Sequence, residues 1–146
     1  METTRMAGHL IRRLNQQSTQ VFQARMKAEG FDLTSVQFAA LSALANNPGI
    51  DQARLSALIA YDRATIGGVV DRLEQKGLVA RSVSDKDRRA RVLTLTETGE
   101  NRLAVMTPVV EDLQADILNR LDPGERAAFV ALARRALGEN DEMDPA

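Results

Sequence analysis

Cysteine is absent from the 146 residues, which excludes disulfides, thiolate metal sites and any thiol redox switch within this chain. Tryptophan is absent too, and four Phe and one Tyr make up the whole aromatic complement. One histidine, His9, leaves no partner for a paired-histidine metal site, and no glycine-rich phosphate loop follows a strand. Little remains with which to do catalysis, so the chain reads as a non-enzyme with no metal and no cofactor. No apolar run approaches the ~20 residues needed to span a bilayer, and the N-terminus lacks an apolar signal core. A cytoplasmic protein with no membrane partner is expected. The length suits a single domain over residues 1–146.

Net charge is small, −1, but it is unevenly spread. Residues 1–50 carry five Lys/Arg against three Asp/Glu, residues 51–96 nine against six, and residues 97–146 five against eleven. Cations are densest in residues 81–91, with five basic and two acidic side chains. A phosphate backbone responds to such a local patch within a Debye length of about 10 Å, not to the total charge. The acidic final third is expected to face away from a polyanion.

Hydrophobic spacing predicts a mainly α-helical fold: six helices and a small β-hairpin. A first helix over 5–29 has Leu10, Leu14, Val21 and Phe22 on its inner side and stops at Gly30. Thr34 with Gln37 three residues later has capping-box spacing for a second helix through Phe38, Leu41 and Leu44. Asp51 or Gln52 begins a short third helix, and Ala60 and Tyr61 connect it tightly to a fourth over 62–76. In the fourth, Ile66, Val69, Val70 and Leu73 share one face, Asp62 is placed to cap, and Gly77 to stop. LVARSV and RVLTLT then flank SDKDRRA as two strands around a seven-residue tip. Two short helices, a brief turn and a hairpin make a winged helix-turn-helix over about 34–96.

Thr96 caps a long fifth helix that contains Pro108, where a missing backbone donor predicts a kink or break near 104–108. Asp122, Pro123 and Glu125 restart a sixth helix with Phe129, Leu132, Ala133 and Leu137 as its inner stripe. Residues 139–146 read as a frayed tail. The apolar stripes of the helices at 5–29 and 97–138 exceed what the winged helix can cover, so a second copy in twofold symmetry is expected to cover them.

The run VVDRLEQKGLVARSVSDKDRRARVLTLTETGE, with its helix, glycine, wing and following cap, resembles the MarR family of bacterial transcription regulators, and the likeness extends over nearly the whole chain. The resemblance implies a triangular homodimer whose wings and recognition helices straddle a pseudo-palindromic DNA operator. It also implies a repressor that releases DNA when a small molecule binds between the dimer base and the winged helix. The RRLNQQ and DRATIGGVVDRLE stretches lean toward the subgroup that responds to aromatic acids. A constitutive DNA binder without an effector, and a winged helix used only for protein contacts, remain as alternatives.

Arg88, near the hairpin tip, is the candidate for minor-groove insertion, because a narrow groove concentrates negative potential. Lys86 and Arg91 are assigned to phosphates, with Gln52 and Ser56 as neutral phosphate ligands. Base contacts fall to Arg63 and Thr65 at the start of the recognition helix. By the resemblance, Arg89 braces the wing with Asp87 or Asp62. Gly67 and Gly68 depart from the polar residues often found at mid-helix, and they permit either close approach of DNA, with Gly68 at the contact, or close packing on the neighbouring helix. For the effector, His9, Arg13 and Gln16 or Gln17 form a polar stripe beside Leu10 and Leu14, and Phe38 is assigned to the same site. The Arg13 guanidinium suits a carboxylate. The same stripe is also consistent with polar residues that bridge the dimer or face water.

Overall fold

The computed structural model describes residues 2–59, 62–86 and 88–139. The Ala60–Tyr61 connection, Asp87 and the tail from 140 onward lie outside the described residues. After a 3-10 turn at Thr3–Arg5, the elements are α1 (Ala7–Glu29), α2 (Ser35–Asn46), β1 (Ile50–Asp51), α3 (Gln52–Leu58), α4 (Arg63–Gln75), β2 (Val79–Val83), β3 (Arg91–Leu95), α5 (Glu97–Ile117) and α6 (Pro123–Ala136).

Local side-chain chemistry sets most of the helix starts. Thr34 and Gln37 form the reciprocal capping box of α2, and Asp122 with Glu125 does the same for α6. Asp51, Asp62 and Thr96 cap α3, α4 and α5 through their side-chain oxygens. At Gly30 and Gly77 the chain turns with φ near +75°, where a Cβ would be strained.

The winged helix closes around one apolar core. Ile66, Val69, Val70 and Leu73 of α4 are buried together with Leu41 and Leu44 of α2, Leu55 of α3 and Leu93 of β3. The hairpin pairs Val79 with Leu95, Arg81 with Leu93 and Val83 with Arg91. A third strand joins it: β1 pairs antiparallel with β3 through Ile50 and Leu93, giving the order β1-β3-β2. Sequence periodicity had placed no strand at this two-residue segment.

Beyond the wing, α5 runs unbroken through Pro108, so the expected break is absent. Met106 on one side of the proline and Val110 and Leu113 on the other are buried in the same core. Thr107 donates its hydroxyl to the Leu103 carbonyl at 2.7 Å. At its start, α5 is locked to the end of the recognition helix. The Thr96 amide donates to the Leu78 carbonyl, the Thr96 hydroxyl to the Gly77 carbonyl, and the Gly99 amide to the Thr96 hydroxyl.

Within one chain the apolar stripes of the terminal helices are largely uncovered. Of α1 only Phe22 and Met26 are buried; Leu10 is 46% exposed and Leu14 only half-buried. No residue of α6 is buried, and Val130, Leu132 and Leu137 are all more than half exposed. Among the described residues, nothing covers these stripes. Arg25 fastens α1 to α5 instead, donating to Asp112 at 2.8 Å and to Glu29 at 3.2 Å, with Asp116 at 3.7 Å. No helix among the described residues is long and apolar enough to cross a membrane.

Candidate nucleic-acid interface and effector recess

The exposed side of the winged helix brings α4 and the cationic hairpin together. Asp62 organises the start of α4: one carboxylate oxygen accepts the Thr65 amide at 2.8 Å and the other the Thr65 hydroxyl at 3.0 Å. Those two bonds, the amide bond being the larger effect, hold the Asp62 carboxyl below the usual carboxylate range. Thr65 is exposed, and because its proton goes to Asp62, its oxygen is left as an acceptor toward solvent. Arg63 is the first residue of α4, but its side chain lies outside what is described.

Lys86, Arg88, Arg89 and Arg91 are all exposed on the wing. Ser84 shapes the tip, its amide donating to the Ala90 carbonyl and its hydroxyl oxygen accepting the Lys86 amide. Among the described residues, Lys86, Arg88 and Arg91 make no ion pair. Arg89 and Arg91 line a recess at the wing base with Asp51, Gln52 and Ala53, at the start of α3. Of the two partners expected for Arg89, Asp87 lies outside the described residues, and Asp62 is engaged by Thr65.

Of the two residues expected as neutral phosphate ligands, one faces inward. Ser56 is only 5% exposed and donates its hydroxyl to the Gln52 carbonyl of its own helix, so it is corrected to a structural residue. Gln52 is half-buried, and its side-chain oxygen accepts from Arg81 at 3.4 Å. The two glycines of α4 also separate. A Cβ on Gly67 would lie 3.3 Å from the Gln52 side-chain nitrogen, whereas one on Gly68 would meet nothing within 4 Å. Gly67 therefore serves packing on α3, and only Gly68 stands open to solvent.

Arg81 went unremarked in the sequence, yet it ties the wing to the recognition helix. From β2 its guanidinium pairs with Asp71 at 2.6 Å and lies 3.7 Å from Glu74, both on α4. The available signal was an isolated cation on a strand beside a helix with carboxylates three residues apart. Such a pattern gains meaning only once the tertiary fold is known.

A recess of about 430 Å³ opens between α1, α2 and α5, a size that suits a small ligand. Phe22, Phe38, Ser42, Val110, Gln114 and Ile117 are among its walls, and the Phe22 and Phe38 rings stand 6.4 Å apart in a tilted arrangement. Of the residues expected around an effector, Phe38 lines the recess. Gln17 reaches its edge by donating to the Ile117 carbonyl at 2.6 Å. His9, Arg13 and Gln16 do not line it. His9 is half-buried, while Arg13 and Gln16 are exposed on the part of α1 that a single chain leaves uncovered.

This architecture recurs in known proteins. Residues 31–90 match the MarR family model. The chain is 37% identical over 141 residues to the HTH-type transcriptional repressor NicR of Pseudomonas putida, covering 97% of this chain and 87% of that one. It superposes with a TM-score of 0.86 on Bordetella bronchiseptica BpsR, whose DNA binding is regulated by 6-hydroxynicotinic acid, at 32% identity over 97% of this chain and 99% of that one. The PcaV transcriptional regulator of Streptomyces coelicolor, in complex with its natural ligand, gives a TM-score of 0.83 at 30% identity, covering 94% and 96%. With the capped recognition helix, the cationic wing and these likenesses in agreement, the chain belongs to the MarR family of transcriptional regulators.

Proposed function

We propose that the protein is a cytoplasmic homodimeric repressor that binds a pseudo-palindromic duplex and leaves it when an aromatic carboxylate enters the recess between α1, α2 and α5. The observation that carries the DNA reading is the exposed wing, whose Lys86, Arg88 and Arg91 are not neutralised by any described neighbour and stand beside the capped start of α4. Lys86 and Arg91 take phosphates, Arg88 enters the minor groove, and Thr65 presents its oxygen to a base edge. The uncovered stripes of α1 and α6 meet their counterparts in the second protomer.

For the effector, Arg13 precedes Gln17 by four residues, so their Cβ atoms share a face about 6 Å apart, and Arg13 stands one helical turn from the residue at the edge of the recess. It binds the carboxylate while Phe22 and Phe38 hold the ring. BpsR, whose DNA binding is regulated by 6-hydroxynicotinic acid, supplies the chemical class, a hydroxylated pyridine carboxylate.

The test begins with a duplex selected from a random pool by the wild-type protein. Benzoate, nicotinate and 6-hydroxynicotinate are then titrated onto the complex and followed by fluorescence anisotropy. Release by at least one acid is expected, and Arg13→Ala should bind the duplex as wild type does but fail to release it. If no acid releases DNA, the effector half of the proposal is wrong and the protein is a constitutive binder.

A further inference from the structure

Arg81 occupies the middle of β2, opposite Leu93, with its side chain directed at the recognition helix. One guanidinium nitrogen, Nη1, faces Asp71 at 2.6 Å and Glu74 at 3.7 Å. The other, Nη2, makes long contacts to the Gly67 carbonyl at 3.5 Å and to the Gln52 side-chain oxygen at 3.4 Å. Nε is buried with no hydrogen-bond partner among the described residues. Gly67, Asp71 and Glu74 fall at successive turns of α4, so this one planar group spans two turns of the recognition helix and also touches α3.

We propose that Arg81 is a positioning residue that fixes the angle between wing and recognition helix, and thereby selects which operators the dimer accepts, without contacting DNA. The proposal rests on the DNA-binding reading above. Two carboxylates offset the charge of Arg81, and its Nη groups already face protein acceptors, which leaves no fork to offer a phosphate. A rigid, planar set of donors is what lets one side chain hold three elements in register. A lysine keeps the charge and reaches Asp71, yet it has no second nitrogen for Gln52 and Gly67. Gly67 belongs to the same interlock, because a Cβ there would press on Gln52 at 3.3 Å.

The distinguishing property is specificity without electrostatics. A phosphate contact contributes to the salt dependence of binding, whereas a positioning residue does not. Arg81→Lys and Gly67→Ala are each compared with wild type on the selected duplex and on a random duplex, across a salt series, alongside thermal melting and dimer mass. Both variants should remain dimeric, and the ratio of specific to random binding should fall by at least about tenfold with the salt slope unchanged.

A slope reduced by about one in Arg81→Lys would make Arg81 a phosphate ligand and overturn the proposal. An unchanged specificity ratio in folded variants would overturn it equally. Should Arg81→Lys not fold, Asp71→Asn decides instead, since it removes the charged acceptor of the 2.6 Å pair and leaves every cation in place, and an unchanged specificity ratio there would overturn the proposal. Failure of the wild type to select any duplex would be a failure of the DNA reading itself and is recognisable as such.

Discussion

The α-carbon of Gly99 lies so close to the Leu78 carbonyl that a Cβ built on Gly99 would sit 2.0 Å from the carbonyl oxygen. No side chain fits there, and the obstacle is backbone, which cannot rotate away. Gly99→Ala should therefore destabilise the fold by about 1–3 kcal/mol, the usual range for overpacking. At about 2–4 °C per kcal/mol for a chain of this size, thermal melting will register the loss. A variant that melts with wild type would mean the first turn of α5 can shift freely.

Gly68 is the opposite case, since a methyl group added there meets open space. Gly68→Ala should stabilise α4 by about 1 kcal/mol through helix propensity alone. If DNA approaches the helix closely at this point, the same change will weaken operator binding. Unchanged affinity and sequence preference would remove the close-approach role and leave Gly68 as a helix weakness only.

Asp62 links the recognition helix to pH. Its carboxyl is held below its ordinary value by the Thr65 amide and hydroxyl. A depressed folded-state value means the stabilisation is fully present above the unfolded value of about 3.9 and is lost as pH falls through the folded value. Asp62→Asn keeps a good capping side chain that does not titrate. The wild type's margin over Asp62→Asn in urea midpoint should shrink as pH is lowered from about 5 to about 3. A margin constant over that range would contradict the assignment. Asp122, depressed by the Glu125 amide, contributes an acid-sensitive cap of the same kind to α6.

Removing wing cations should act on salt dependence. Lys86→Ala, Arg88→Ala and Arg91→Ala should each lower the slope of log affinity against log salt by about 0.9 if the residue meets a phosphate. Arg88, placed in the minor groove, should in addition relax sequence preference near A·T-rich positions. Slopes identical to wild type in all three would remove the wing from the interface.

Leu132 is 60% exposed in the single chain. Burying a leucine contributes about 1.5–3 kcal/mol, and twofold symmetry counts it twice, so Leu132→Glu should raise the dimer dissociation constant by about 100-fold or more. Sedimentation across a concentration series measures this directly. An unaltered dimer would place α6 outside the interface.

What could be read in advance depended on how local its cause was. Thr34, Asp62, Thr96 and Asp122 cap helices through oxygens only a few residues from their partners, so their roles are visible in sequence. The buried face of α4 follows from spacing in the same way. By contrast, β1 is two residues long and exists as a strand only because β3 is there to pair with it. Ser56 looks like any surface serine until α3 is seen to turn it inward. Arg81 counts among the cations of residues 81–91, but its partners lie on two other elements, α3 and α4, that only the fold brings beside it. For Leu10, the spacing was informative about the apolar stripe but not about whose chain covers it.

The unbroken course of α5 through Pro108 gives the molecule a lever. Its 21 residues extend about 31 Å, from the clasp at Thr96 and Gly99 to the recess wall at Ile117. A tilt of a few degrees at the recess end displaces the other end by about 2–3 Å over a rod of that length. Two recognition helices must stand about one turn of DNA, roughly 34 Å, apart to enter successive major grooves. Paired levers moving in opposite directions would double that displacement between half-sites, turning a small-molecule event into a mismatch with the pitch of the double helix.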